Sequence, residues 1–185
     1  QILIPLEKLY RRYTGESLAV KLSDFADVSE RIQYLVTQVE EITKIDNFGA
    51  YLTAMLEIDA FFMNEDRHTN NIAVIYNEKT QKYELSPFFD QGLCMFADIN
   101  QDYPIDQSLE YCLEKIEAKP FSSDFDIQLD AAEELYGIQI GFQFTFKDIQ
   151  IYLQKNSENY PREVIRRVEQ LLRRQMRKYG YLMKK

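Results

Sequence analysis

The chain has no tryptophan, a single histidine, His68, and only two cysteines, Cys94 and Cys112. One histidine and two unpatterned thiols exclude a zinc cluster, a histidine-pair mechanism and a disulfide framework. Buried free thiols are what remains. The six glycines, at 15, 49, 92, 137, 141 and 180, nowhere form the Gly-x-Gly-x-x-Gly of a phosphate-covering loop. No apolar run approaches the ~20 residues that span a bilayer, and no secretory leader opens the chain, so it reads as soluble and cytoplasmic. Its first residue is Gln1 rather than methionine, which suggests either a trimmed chain or one whose beginning was lost.

Aromatic residues other than tryptophan are plentiful: 13 Tyr and 12 Phe within 185 residues that are 45% hydrophobic. That composition predicts one globular domain over residues 1–185, able to bury ~70% of its unfolded surface around an aromatic core. The net charge of −8 is uneven. Residues 162–185 hold nine Lys or Arg against Glu163 and Glu169, which leaves −15 on everything before them. An acidic body repels phosphodiester backbone and disfavours direct nucleic-acid binding. The basic tail is expected to be a solvated helix face whose arginines pair with that body.

Periodicity predicts a mainly α chain with a small β-hairpin. Helices are expected after Pro5, over Ser29–Thr43, from Phe48 to Phe62 behind an Asp46-Asn47 cap, and over Asp106–Ala118. Further helices are expected over Asp126–Tyr136, over Thr145–Lys155, and from Pro161 onward. The helix ending at Phe62 should bury Phe48, Tyr51, Leu52, Met55, Ile58 and Phe62 as a stripe. The hairpin strands are Ile72–Tyr76 and Tyr83–Leu85, joined by Asn77-Glu78-Lys79-Thr80.

Chemistry gathers at the two ends of that hairpin. Asn64-Glu65-Asp66-Arg67-His68-Thr69-Asn70-Asn71 precedes it, and Pro87-Phe88-Phe89-Asp90-Gln91-Gly92 follows. The layout predicts that Asp66, Asn71 and Asp90 converge at one end of the ribbon. Such a set suits a hard cation, since Mg²⁺ takes oxygen ligands, usually one or two carboxylates plus water and substrate phosphate. Asp-x-x-x-x-Asn is the spacing by which a kinase catalytic loop presents a base and then an amide oxygen for metal. Gly92 is expected to allow an unusual backbone angle beside Asp90.

Asn64-x-Asp66-Arg67-His68-x-x-Asn71, an apolar strand, and Ser86-Pro87-Phe88-Phe89-Asp90-x-Gly92 resemble the C-terminal lobe of HipA-like serine/threonine protein kinases. The resemblance covers roughly residues 55–95. The Asp-Arg-His-x-x-Asn core is also similar to phosphoinositide kinases. The aromatic approach to Asp90, and Asp59 seven residues before Asp66, favour HipA. The resemblance implies a helical C-lobe of the protein-kinase-like fold, with Asp66 as base and Arg67 and His68 beside it. Asn71 and Asp90 would hold Mg²⁺ against the phosphates of ATP. Arg67 would either touch phosphate or brace a carboxylate, His68 would serve as a hydrogen-bonded support, Asn64 and Glu65 would shape the loop, and Asp59 would tie it down. The segment Leu93–Tyr103 falls where kinases carry a mobile activation segment.

A working kinase also needs a second lobe with a lysine strand. Leu18-Ala19-Val20-Lys21 imitates one, but about 45 residues before Asp66 are too few for a sheet, a hinge and supporting helices. The N-lobe therefore lies upstream, in another chain, or nowhere. Three readings follow: the catalytic lobe of an ATP-dependent protein kinase acting on a protein substrate; a non-catalytic lobe binding an antitoxin or other regulator; and, with least support, a lipid kinase.

Overall fold

The computed structural model describes residues 1–184. In chain order the elements are β1 (Ile2–Pro5), α1 (Leu6–Thr14), α2 (Leu18–Ser23), α3 (Val28–Thr43), α4 (Phe48–Phe62), β2 (Ala73–Asn77) and β3 (Lys82–Leu85). Then follow α5 (Leu109–Lys115), α6 (Phe125–Tyr136), α7 (Phe146–Lys155), α8 (Arg162–Lys178) and a closing 3-10 turn, Gly180–Leu182. The three strands form one antiparallel sheet in the order β1-β2-β3. No helix among the described residues is long and apolar enough to cross a membrane.

The hairpin is a three-stranded sheet because Ile2, Leu3 and Ile4 pair with Tyr76, Ile75 and Val74 along the free edge of β2. A four-residue apolar run has no periodicity of its own, so only its partner makes it a strand. Pro5 ends that strand and opens α1, whose first amides donate away from their own helix, Leu6 N to Ile72 O at 2.8 Å and Glu7 N to Thr69 O at 3.3 Å. The chain's beginning thus holds the exit of the Asn64–Asn71 loop. Leu18–Ser23 is a helix capped by Ser17, so it supplies no lysine strand.

Central to the core is α4, packed against α3, α6 and α8. A one-sided stripe was expected; instead burial runs round the helix, with Phe48, Leu52, Met55, Leu56 and Phe61 inaccessible and Tyr51, Ile58 and Phe62 only partly covered. Even Glu57 is fully buried, its carboxylate accepting from Gln139 N at 2.8 Å and Ile140 N at 2.6 Å. Burial pushes that carboxyl above the usual range, and the two backbone N–H groups pull it back. The expected Asp46-Asn47 cap is not made. Asn47 has φ −128° and ψ 28°, outside the extended region in which a capping side chain turns back. Glu40 Oε1 accepts from Phe48 N at 3.1 Å instead.

The helix expected over Asp106–Ala118 is shorter, Leu109–Lys115. Ser108 caps it at one end, and extended backbone at Ile116 stops it at the other. Cys112 and Ile116 face inward, while Leu109 and Leu113 are half-buried. In α8 the arginines do not pair with the acidic body as expected. Arg173 meets Glu169 on its own helix, and among the described residues Lys178 makes that helix's one ion pair to another element, to Asp126 at 2.6 Å. Arg167 is buried and donates to the carbonyls of Tyr103, Pro104 and Gln107 at 2.5–3.1 Å.

Where α4 crosses α6, a Cβ added at Gly49 would lie 2.5 Å from the Tyr136 ring. Gly49→Ala gains ~1 kcal/mol of helix propensity and loses more to overpacking of a ring fixed by its helix. We expect a net destabilisation of about 1–2 kcal/mol, read as a lower urea midpoint; a raised midpoint would contradict the packing.

Candidate functional site

The helix α4 ends at Met63 in the left-handed region, φ 54°, and Asn64 N donates back to Asp59 O at 2.9 Å. The chain therefore turns sharply over the last turn of α4, where Asp59 is fully buried. Asp59 receives Arg67 Nε at 2.7 Å, Arg67 Nη2 at 3.0 Å and Asn64 Nδ2 at 2.8 Å. One carboxylate ties down both arms of the loop. Burial pushes its carboxyl up, and the hydrogen bonds and charge of Arg67 and the amide of Asn64 oppose this.

Arg67 is wholly buried, so it braces the loop and does not face a reacting group. Its Nη1 donates to Asn71 O at 2.6 Å and to Phe89 O at 2.9 Å. Those two carbonyls are separated by no more than the two lengths combined. The same guanidinium thus joins α4, the end of the loop before β2, and the residue preceding Asp90.

On the outer side, Asn71 Nδ2 donates to Asp66 O at 2.8 Å and lies 3.3 Å from Asp66 Oδ2. His68 Nε2 is 3.7 Å from the same oxygen, and His68 Nδ1 accepts from Asn70 N at 3.3 Å. His68 is therefore a neighbour that shapes and flanks Asp66. Lys119 Nζ stands 3.4 Å from Asp66 Oδ1. The Asp66 side chain keeps 28% of its surface open. With Asn71 Nδ2 turned to Asp66, the amide oxygen of Asn71 is left for another partner.

Asp90 is exposed, with φ 57°, and its side chain makes no hydrogen bond among the described residues. The unusual backbone angle expected at Gly92 falls on Asp90 itself; Asp tolerates this region better than most residues. Met95 and Phe96 also have positive φ. Two successive non-glycine residues there store strain that surrounding packing must hold. Phe96 and Tyr103 supply that packing as buried rings 5.0 Å apart. Met95 N donates to Phe62 O, and the Tyr103 hydroxyl donates to Glu65. Burial pushes the Glu65 carboxyl up, and this hydrogen bond pulls it down. The segment expected to be mobile is tied to the loop at both ends.

Of the expected set, Asp66, His68 and Asn71 touch one another above Arg67, whereas Asp90 is linked to them only through the backbone carbonyl of its neighbour Phe89. Together they make an open edge rather than a closed pocket. A cleft of about 390 Å³ begins at Gln91 and Gly92 but runs away toward Tyr152 and Val168. Among the described residues no three His, Cys, Asp or Glu side chains gather around one point. The available donors are an amide oxygen and an exposed carboxylate, a partial set of hard ligands that external oxygens would have to complete. Two contributors escaped the sequence reading. Glu7 accepts from Thr69 Oγ1 at 3.2 Å, and Lys119 lies just past the end of the helix expected over Asp106–Ala118.

Replacing Arg67 with Met should leave Asp59 buried without its counter-ion, at a cost of about 3–5 kcal/mol. A double variant, Asp59→Leu with Arg67→Met, should recover much of that in urea denaturation. Additive losses would show that the two residues act separately. Compared with known proteins, the chain matches no family profile, no curated protein and no solved structure.

Proposed function

We propose that this chain is the base- and metal-bearing helical lobe of a HipA-like serine/threonine protein kinase, transferring the γ-phosphoryl group of ATP to a protein hydroxyl. The observation that carries the reading is the Arg67 bridge. Through it the loop bearing Asp66 and Asn71, and the strand exit bearing Asp90, share one buried guanidinium. Phosphoryl transfer asks mainly for positioning and charge, and a buried brace shared by the loop of Asp66 and Asn71 and the approach to Asp90 favours positioning.

In this reading Asp66 accepts the proton of a Ser or Thr hydroxyl, or orients that hydroxyl. Asn71, only 6% exposed, steadies Asp66 through its amide nitrogen, and its oxygen is the atom left to meet a cation. Asn71 and Asp90 would hold Mg²⁺, which when bound neutralises charge on the phosphates of ATP. His68 flanks Asp66 without taking the proton. No glycine-rich loop or lysine strand occurs among the described residues, so nucleotide binding by this chain alone should be weak. A second reading, a lobe retained for binding a regulatory protein, is favoured by one observation: Arg166, Arg174 and Arg177 on α8 are exposed and make no ion pair among the described residues.

The test is a ¹⁵N NMR titration with Mg·ATP. We expect a dissociation constant on the order of 1 mM, with shifts confined to Asp66–Asn71 and Phe89–Gly92 and abolished by Asp90→Asn. Shifts elsewhere, or shifts indifferent to Asp90→Asn, would sink the kinase reading.

A further inference from the structure

We propose that Lys119 forms a phosphate-binding subsite beside Asp66, supplying the positive charge that the lobe otherwise lacks at this edge. The inference rests on the kinase reading and extends it to a residue 53 positions beyond Asp66, outside the loop and the hairpin.

The other cations near the edge are already engaged. Arg67 is buried and divided between Asp59 and two carbonyls. Lys115 is held by the carbonyl and carboxylate of Asp102, both at 2.8 Å. Lys119 is half-exposed, and its Nζ meets only Asp66 Oδ1 among the described residues, at 3.4 Å. An ion pair so open to water is worth ~0–1 kcal/mol, so an incoming anion can share or displace it at little cost.

The root of Lys119, by contrast, is firmly held. Gln128 is 1% exposed and spends both ends of its amide on this segment, donating to Lys119 O at 3.2 Å and accepting from Phe121 N at 3.4 Å. Arg31 Nη1 donates to Phe121 O at 2.7 Å, and Ala118 N donates to Ser123 O at 2.8 Å. Phe121 itself is fully buried. A weak surface ion pair does not account for fixing the backbone on both sides of a lysine. A lysine whose tip is free and whose root is fixed is suited to follow a phosphoryl oxygen over a short distance. Its ammonium acts as a compact point charge with three donors.

In the transfer step the hydroxyl oxygen of the substrate bonds to the γ-phosphorus. The bond from that phosphorus to the β-bridging oxygen breaks, with its electron pair leaving on ADP, and the hydroxyl proton passes to Asp66. Lys119 takes no part in the proton transfer. It contacts an oxygen of the group in transit and draws Asp66 Oδ1 toward the same point.

The test compares wild type, Lys119→Met, Lys119→Arg and Asp90→Asn, all as the 185-residue chain, by NMR titration with Mg·ATP and with Mg·AMP. Lys119→Met should weaken Mg·ATP about tenfold, the effect of one charge-assisted hydrogen bond. It should leave Mg·AMP, which lacks the outer phosphates, unchanged, and Lys119→Arg should restore most of the loss. A merely structural lysine would weaken both nucleotides alike or lower the melting temperature, and either result overturns the subsite. Unchanged Mg·ATP affinity in Lys119→Met, with loss in Asp90→Asn, would discard Lys119 and keep the kinase reading. Failure of wild type to bind Mg·ATP at the Asp66–Asp90 edge would discard both.

Discussion

An arginine side chain with no access to water dictates the layout around the Asn64–Asn71 loop. Taking a guanidinium and a carboxylate out of water costs several kcal/mol each, and their attraction repays it only when every remaining donor finds an acceptor. Arg67 fills four of its five N–H donors, two on Asp59 and two on Asn71 O and Phe89 O, carbonyls that lie on opposite sides of the β2–β3 hairpin in sequence. The loop cannot shift relative to the strand exit without stranding an N–H group in the interior. The pair therefore sets geometry more than it adds stability. The outward groups inherit their relative positions from it: Asn71 through its own carbonyl, Asp66 through Asn71, and Asp90 through its neighbour Phe89.

The rest of the fold supports that arrangement from several directions. Asp59 can sit at the bottom because α4 is sheathed by α3, α6 and α8. From the other side, β1 and the first turn of α1 hold the loop exit through Ile72 O and Thr69 O. Glu65 and Tyr103 fasten the segment after Gly92, which lets Met95 and Phe96 persist in left-handed backbone despite a cost of ~1–2 kcal/mol per residue. Strain beside an outward-facing carboxylate is a common companion of function, although here it is held by aromatic packing rather than by a ligand.

Much of this was legible in the residues. Helices with clear stripes and caps, such as α3, α6, α7 and α8, could be placed within a residue or two, because periodicity and Asp, Thr, Pro and Gly at their ends act locally. The spacing of Asp66 and Asn71 foretold their contact, and Asp59 was legible as the tie of their loop. What could not be read depended on partners distant in sequence. The strand at Ile2–Pro5 exists only because β2 has a free edge. Burial all round α4, Glu57 included, depends on three other helices. The capping role of Glu40 replaced that of Asn47 through a contact between neighbouring helices, and Lys119 reaches Asp66 only after the chain has turned back past α5. Charge was misjudged for a similar reason: Arg167 satisfies carbonyls rather than acids.

The placement of Arg167 also bears on when the site can exist. Its guanidinium gathers the carbonyls of Tyr103, Pro104 and Gln107 and so completes the far end of the segment that Glu65 holds at the other. Parts of the edge therefore come from Glu7, from residues 59–71, from 89–103, from Lys119 and from the last long helix. Contacts so widely separated in sequence close late, after the entropy of large loops has been overcome. A chain emerging from the ribosome would hold all its candidate ligands and still lack the assembled edge until α8 had docked, so nearly all of these residues must be synthesised before the edge is complete.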